Sequence, residues 1–477
     1  MTHSLLVPLF LVAAPLAGQD RPRDCAATLE GFRTKIEQNY AGAYLELVGE
    51  RRRVHDDLYR SLIGDARTAT GEACFFVLDR YAKWFDDPHL FVFQSTRIDS
   101  TESSRRARQL RTVSIDERAA RALLSRRPLD PIEGIWNDGQ GLRIAILPDS
   151  GARDRFIAVV MTSDSATWPV GAVRGHVQKR GANEYLVDLY SRNFALRHLT
   201  GVIHKEVILR LSPGMFAREY PAPEVDGLVD MRAPQRPTLV VRNGTVIVSM
   251  TSHDPAYRSV VDSLVRANQD ALGSAERLIV DLRGNEGGGA FTSAALTPYI
   301  RSRVQRRHRY QSDTSWMLSS PDQVAYARRS FGSDTSQFVR TLVARLLESP
   351  GRLVPMPSFA SAAPSDTLTP GPGRVGIIVD GGTVSAAEVT VLQALQSTRA
   401  QVFGQPTAGA LDYASVNIVR VLPDESRWLL GYGTMAWSNK LPENGMRETG
   451  IEPDERVAID RLWATIQHVE RRLGSAR

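Results

Sequence analysis

The sequence predicts an α/β protein: a core in which strands feed helices, preceded by a small helical region and a separate β-rich region. Three stretches carry that prediction. From Thr238 onward, short apolar runs such as TVIVSM, RLIVDLRG and GRVGIIVD alternate with amphipathic segments, as buried strands and the helices covering them do. Between Asp130 and about Pro223, runs such as LRIAIL, RFIAVVM, EYLVDLY and HKEVILRL stand between turn-rich stretches, which reads as six to eight strands. From Cys25 to about Gln94, apolar residues recur at three- and four-residue steps, among them Leu29, Phe32, Ile36, Leu78, Tyr81 and Phe85, the spacing of helices.

Length and composition bound the answer. The chain has 477 residues, 42% hydrophobic and 23% charged, enough to build several domains with their own cores and too apolar for disorder. No run of eighteen apolar residues occurs, which excludes a polytopic membrane protein. The excess of 59 Lys and Arg over 53 Asp and Glu is arginine scattered along the chain. It reads as a solvated surface, and no nucleic-acid partner is expected.

The elements follow in order. Residues 5–17, LLVPLFLVAAPLA, form a short apolar run ending in small residues, so 1–17 reads as a signal peptide cleaved near Ala17. No stable membrane span is expected after its removal, and the chain is expected outside the cytoplasm, secreted or periplasmic. A retained anchor or a buried N-terminal strand is the alternative. Cys25 and Cys74 are then an even pair in an oxidising compartment, and one disulfide is expected, closing a loop of about 50 residues worth about 4 kcal/mol. Two buried thiols are the alternative. Zinc would need more ligands at short spacing. Residues 18–128 are the helical cap with an Arg-rich linker, 129–235 the β-rich domain with a Pro-rich linker, and 236–477 the α/β core. Within the core, 302–370 is an insertion rich in Arg, Ser and Pro, with one clear helix near Phe338 to Leu347.

Two strand-to-turn-to-helix junctions hold the chemistry. In Leu278–Gly289 a strand ends and three consecutive glycines let backbone amides approach another group closely. No Lys-Ser/Thr follows, so this is no Walker loop, and the glycine spacing is not that of a dinucleotide site. In Val375–Glu388 a second strand ends, Gly381 and Gly382 turn the chain, and Ser385 opens a helix. A serine there is ordinarily an N-cap. The same geometry also suits a nucleophile, with the Ala386 amide at the helix N-terminus holding an oxyanion and Gly287 or Gly288 supplying a second donor.

DLRGNEGG and TVSAAE, followed by GQPTAG at 404–409 and GIEPD at 450–454, resemble in order and spacing the catalytic core of the C-terminal processing peptidase and tricorn core serine peptidases. The likeness covers about residues 238–460. IEQNYAGAY at 36–44 and WFDDPHLFVF at 84–93 resemble the helical cap ahead of that core, ending in an Asp-x-His signature. The resemblance implies a ClpP/crotonase-like core and a serine nucleophile at Ser385, with no metal or organic cofactor.

The resemblance also bears on how the serine is activated. Processing peptidases place a lysine directly after Thr-x-Gly of the third motif; here that residue is Ala410, and Lys440 is the nearest substitute. Tricorn-like members use a histidine from the N-terminal segment with a glutamate close to the last motif. His89 fits the first, as a side chain that exchanges protons near neutral pH. Glu448 is the favoured orienting acid and Glu443 its rival, while His253 at the end of TVIVSM competes as base. The β-rich region lacks the carboxylate-binding loop of a PDZ domain, so tail capture is not expected. The sequence therefore implies an exported serine peptidase acting on peptide or protein substrates. A non-catalytic ligand-binding protein on the same core, or an esterase, is the alternative; oligomeric state is left open.

Overall fold

The computed structural model describes residues 24–475 apart from 71, 96–99, 126–127, 139–140, 150–153, 164–167, 205–207, 212–214, 222–235, 311–313, 332–336, 357–370, 423–426 and 458–461. The expected leader, the Pro-rich linker and the last part of the insertion fall outside the described residues.

The chain opens with helices α1 (Cys25–Asn39), α2 (Ala41–Glu46), α3 (Gly49–Ala66) and α4 (Glu72–Lys83). Asp24 caps α1 by accepting the Ala27 amide at 2.7 Å. A disulfide joins Cys25 to Cys74, tying α1 to α4. Strand β1 (Phe91–Gln94) follows, then the polar helices α5 (Ser100–Arg108) and α6 (Glu117–Leu124).

Eight antiparallel strands then close into a barrel: β2 (Gly134–Asn137), β3 (Arg143–Pro148), β4 (Arg155–Thr162), β5 (Val173–Lys179), β6 (Glu184–Tyr190), β7 (Leu196–His204), β8 (Ile208–Leu211) and β9 (Met215–Tyr220), with β9 returning to β2. Alternation sorts the side chains. Ile144 and Ile146 of β3 join Trp136, Phe156, Val187 and Phe216 in a cluster drawn from all eight strands, the barrel interior. Ala145 and Leu147 face the other way, against Ala120 and Leu124 of α6.

The core begins with β10 (Thr238–Arg242) and β11 (Thr245–Ser249), then α7 (Arg258–Ala267), α8 (Gln269–Ser274), β12 (Arg277–Asp281) and the short α9 (Thr297–Ile300). The helix expected after Gly289 is a 3-10 segment, Ala290–Leu296, running into α9. Next come β13 (Trp316–Leu318), α10 (Pro321–Phe331), α11 (Gln337–Glu348) and β14 (Leu353–Pro355). They are followed by β15 (Arg374–Val379), α12 (Ala386–Leu395), β16 (Ala400–Gly404), β17 (Tyr413–Arg420), β18 (Trp428–Ala436), β19 (Glu455–Arg456) and α13 (Leu462–Ser475).

Two open sheets organise these strands. The six-stranded sheet runs β10-β11-β12-β15-β16-β19 and is parallel from β11 onward. Its inner strands β11, β12, β15 and β16 are buried on both faces, as parallel strands under helices are, while the edge strand β10 is largely exposed. Val246, Leu278, Val280, Val375 and Ile377 pack toward α7 and α12, while Ile247, Ile279, Ile378 and Phe403 pack against Ile466, Val469 and Leu473 of α13. The five-stranded sheet runs β1-β18-β13-β14, with β17 also paired to β18. Strands β13 and β14 give the insertion more structure than the single helix expected there: it adds a sheet edge and a second helix. Three-residue strands are too short to carry an alternation pattern.

The helical cap does not enclose its own core. Leu29, Phe32, Tyr81 and Phe85 share one apolar cluster with Tyr413, Trp428, Leu430 and Tyr432 of the five-stranded sheet. That shared floor brings a turn at residues 86–89 against the core.

Candidate active site

The second glycine junction is built to hold one serine in an unfavourable conformation. Strand β15 ends at Val379, and Asp380–Val384 lead to Ser385 at φ 54°, ψ −113°. A non-glycine residue there costs about 1–3 kcal/mol and persists only where neighbours impose it. Three neighbours do so. The buried Glu388 carboxylate accepts the Ser385 amide at 2.8 Å. Gly287, at φ 90°, presses so close that a Cβ there would lie 2.8 Å from the Val384 carbonyl oxygen and 2.9 Å from Ser385 Cβ. The Val384 amide donates to the Asn285 carbonyl at 2.9 Å, locking the two glycine turns together.

Glu388 is the hub of this support. Besides the Ser385 amide, its carboxylate accepts the Thr407 hydroxyl at 2.6 Å and the amides of Gly409 and Ala410 at 2.7 and 2.9 Å. Burial pushes its carboxyl above the ordinary range, against the pull of these four donors. Its place three residues after a helix-opening serine is capping-box spacing, a signal legible in TVSAAE. Ala410, at the family's lysine position, contributes only this amide. Lys440 is exposed.

His89 lies across from the serine. Its Nε2 is 3.1 Å from Ser385 Oγ, and its Nδ1 is 2.6 Å from the Tyr413 carbonyl oxygen. A carbonyl only accepts, so Nδ1 carries the ring proton and Nε2 is left to accept from the hydroxyl. Both residues are partly exposed, within reach of a substrate. The turn holding His89 is set by Asp87, whose Oδ1 accepts the His89 amide at 2.9 Å and whose Oδ2 accepts the Tyr40 hydroxyl at 2.6 Å.

The orienting group corrects an expectation. Glu448 and Glu443 are both exposed, and neither meets the imidazole, whose Nδ1 is taken by Tyr413. The cause is the Gly450 turn. A Cβ on Gly450, at φ 68°, would lie 2.1 Å from the Thr407 carbonyl oxygen, and the Ile451 amide donates to Thr407 Oγ1 at 2.8 Å. GIEPD thus braces the GQPTAG turn, and the glutamates before it face solvent. Tyr413 is held by its hydroxyl, which donates to the buried Glu46 at 2.8 Å; Arg447 reaches the same carboxylate at 3.1 Å and the Phe85 carbonyl at 2.7 Å. A backbone oxygen has no sequence signature, so this partner of the imidazole could not be read in advance.

The expected amides separate in the same way. The Gly287 amide is spent on Asn285 Oδ1 at 3.0 Å, which corrects its assignment as a donor. The amides of Gly288 and Ala386 meet no acceptor among the described residues. His253 is fully buried behind the site, its Nε2 3.2 Å from Thr390 Oγ1, and burial lowers its pKa to about 4. It does not meet Ser385. Behind both turns, Asp380 Oδ1 accepts the Gly284 and Gly382 amides at 2.9 and 3.0 Å, beside the buried Arg283–Asp281 pair.

Among the described residues, one group of side chains has metal-ligand spacing, Glu37, His55 and Asp56 on the cap. Both carboxylates are already paired, Glu37 with Arg33 and Arg52 at 2.7 and 2.8 Å and Asp56 with Arg33 at 2.7 Å, which leaves little negative charge for a cation.

Residues 245–457 match the model of peptidase family S41. Among solved structures, mature CPAF complexed with lactacystin aligns at 12% identity and TM-score 0.46, covering 94% of this chain and 97% of that one. The photosystem II D1 C-terminal processing protease aligns at 12% and 0.38, covering 95% and 97%. A lipoprotein from Streptococcus agalactiae aligns at 11% and 0.41, covering 97% and 99%. No curated protein sequence matches the chain. No described helix is long and apolar enough to cross a membrane.

Proposed function

We propose that the chain is a serine-type peptidase of family S41, whose model matches residues 245–457, with Ser385 its nucleophile, His89 its base, and a ClpP/crotonase-like arrangement its core. The observation that carries this reading is the 3.1 Å approach of His89 Nε2 to Ser385 Oγ, with the ring proton fixed on the far nitrogen.

The chemistry then runs as acyl transfer. Ser385 Oγ attacks the peptide carbonyl as its proton passes to His89 Nε2. Charge gathers on the carbonyl oxygen, and the Ala386 and Gly288 amides donate to it; the positive end of α12 adds to the effect. The intermediate collapses by breaking the C–N bond, and the imidazolium gives its proton to the leaving amine. Water then attacks the acyl-enzyme, losing a proton to His89, and Ser385 is released with its own proton restored. The positive φ of Ser385 accompanies an Oγ that stands 3.1 Å from His89 Nε2.

The chain acts outside the cytoplasm on peptide or protein substrates. The leader-like residues 5–17 and the Cys25–Cys74 disulfide both support that location. A fluorophosphonate probe tests the nucleophile: the native chain is labelled on Ser385, and Ser385→Ala is not labelled while melting at the native temperature. Persistent labelling of Ser385→Ala would overturn the assignment.

A further inference from the structure

A catalytic histidine draws two services from the third member of a triad: a group that fixes the ring, and negative charge nearby when the ring takes up a proton. The Tyr413 carbonyl performs the first and, being neutral, cannot perform the second. Among the described residues, the one carboxylate hydrogen-bonded to His89 is Asp87, two residues before it and 7% exposed.

The hydrogen bonds of Asp87 favour its ionised form, against the burial that raises its pKa. Both oxygens accept, one from the His89 amide and the other from Tyr40. The Tyr40 phenol is fully buried, and burial together with the Asp87 charge holds its pKa well above the ordinary tyrosine range, so it donates. A carboxyl flanked by two donors is stabilised as the carboxylate. Four groups face it: Tyr40 at the α1–α2 junction, Arg447 and Asp412 from the core, and the His89 ring. Burial pushes Asp87 up, and the strongest influence opposing it is the charge of His89. Arg447 spends its direct contacts on Glu46 and the Phe85 carbonyl, and Asp87 has no salt bridge among the described residues.

We propose that the third member of this site is divided: Tyr413 orients the imidazole through its carbonyl, and Asp87 is a positioning residue that supplies the charge. The inference rests on His89 being the base. An aspartate at this place could serve the turn alone, accepting the amide two residues on, but asparagine does that equally well. Charge and turn therefore part company in Asp87→Asn, which keeps the acceptor for the His89 amide and can donate to the Tyr40 oxygen.

The experiment follows the rate of fluorophosphonate labelling against pH in the full chain. Asp87→Asn should be labelled roughly 10- to 100-fold more slowly, with the acid limb of the profile displaced about one unit to lower pH, because the imidazolium loses a stabilising neighbour. A native rate and an unmoved acid limb would overturn the inference. Should Asp87→Asn not fold, Tyr40→Phe carries the test, since it strips one donor from Asp87: labelling about tenfold slower supports the inference, and the native rate rejects it. Failure of the native chain itself to label on Ser385 would instead reject the peptidase site, so the two failures are distinct.

Discussion

The proposed nucleophile, Ser385, and the proposed base, His89, stand on supports of different construction. Every brace of Ser385 lies within the core, between Asp281 and Ile451, and most are backbone bonds gathered by two side chains, Glu388 and Asp380. His89 is held from places far apart in the chain, by Tyr40 and Glu46 of the cap and by Tyr413 and Arg447 of the core. The first support is part of the folding core, since its bonds also close the turns between parallel strands. The second is a junction between a helical cap and a sheet. Damage to the first should cost stability before rate, and damage to the second should cost rate while the fold survives.

The largest effect expected is on the junction. His89→Gln should lower labelling and peptide hydrolysis by roughly 10³- to 10⁴-fold, the usual worth of a general base in such a unit, with the melting temperature within a few degrees of native. A large drop in melting temperature would break the distinction. Next is Glu388→Gln. Oε1 takes the Thr407 hydroxyl and Gly409 amide, and Oε2 takes the Ser385 and Ala410 amides, so an amide nitrogen at either place meets donors. A loss of about 3 kcal/mol is expected, read as a lower denaturant midpoint. A variant of native stability that is merely inactive would show that the nucleophile's support is as separable from folding as the base's.

How far each support can be read from sequence follows the same division. Ser385 is legible because its environment is local: a strand, two glycines and a helix succeed one another in the chain, and α12 begins at Ala386 as that pattern requires. His89 is legible only through its family-like Asp-x-His setting, since nothing in residues 84–93 says that Ser385 lies opposite. Tyr413 is not legible at all. Its part is played by a backbone oxygen placed by the pairing of β17 with β18, and that pairing involves residues the apolar pattern does not mark as a site. Glu448 misleads for the same reason. Proximity in sequence to GIEPD suggests proximity to the base, but the Gly450 turn spends that motif on Thr407. The β-rich region divides similarly: alternation in β3 and β4 marks strands, while the closure of β9 onto β2 depends on register across 80 residues.

The smallest effect separates the two histidines by readout. Burial lowers His253 to about 4, against an ordinary value near 6.5 in the unfolded chain. Between those values the unfolded chain binds a proton that the folded chain refuses, so this contribution is whole above pH 6.5 and is lost as pH falls toward 4. It amounts to about 2 kcal/mol between pH 7 and pH 5. His55, also fully buried and lowered to about 4, acts in the same direction. The buried carboxyls Asp87, Asp380 and Glu388 are raised by burial and act oppositely, because the folded chain protonates them first on acidification. A native stability curve mixes these signs, so the informative quantity is a difference. Going from pH 7 to pH 5, His253→Gln should lose about 2 kcal/mol less than the native chain, measured by denaturant unfolding at each pH. Equal losses would mean that His253 is solvated, and that the floor beneath the nucleophile is less dry than its zero exposure requires. The labelling profile of that variant should keep the native acid limb, since the imidazole touching Ser385 is the one on the cap.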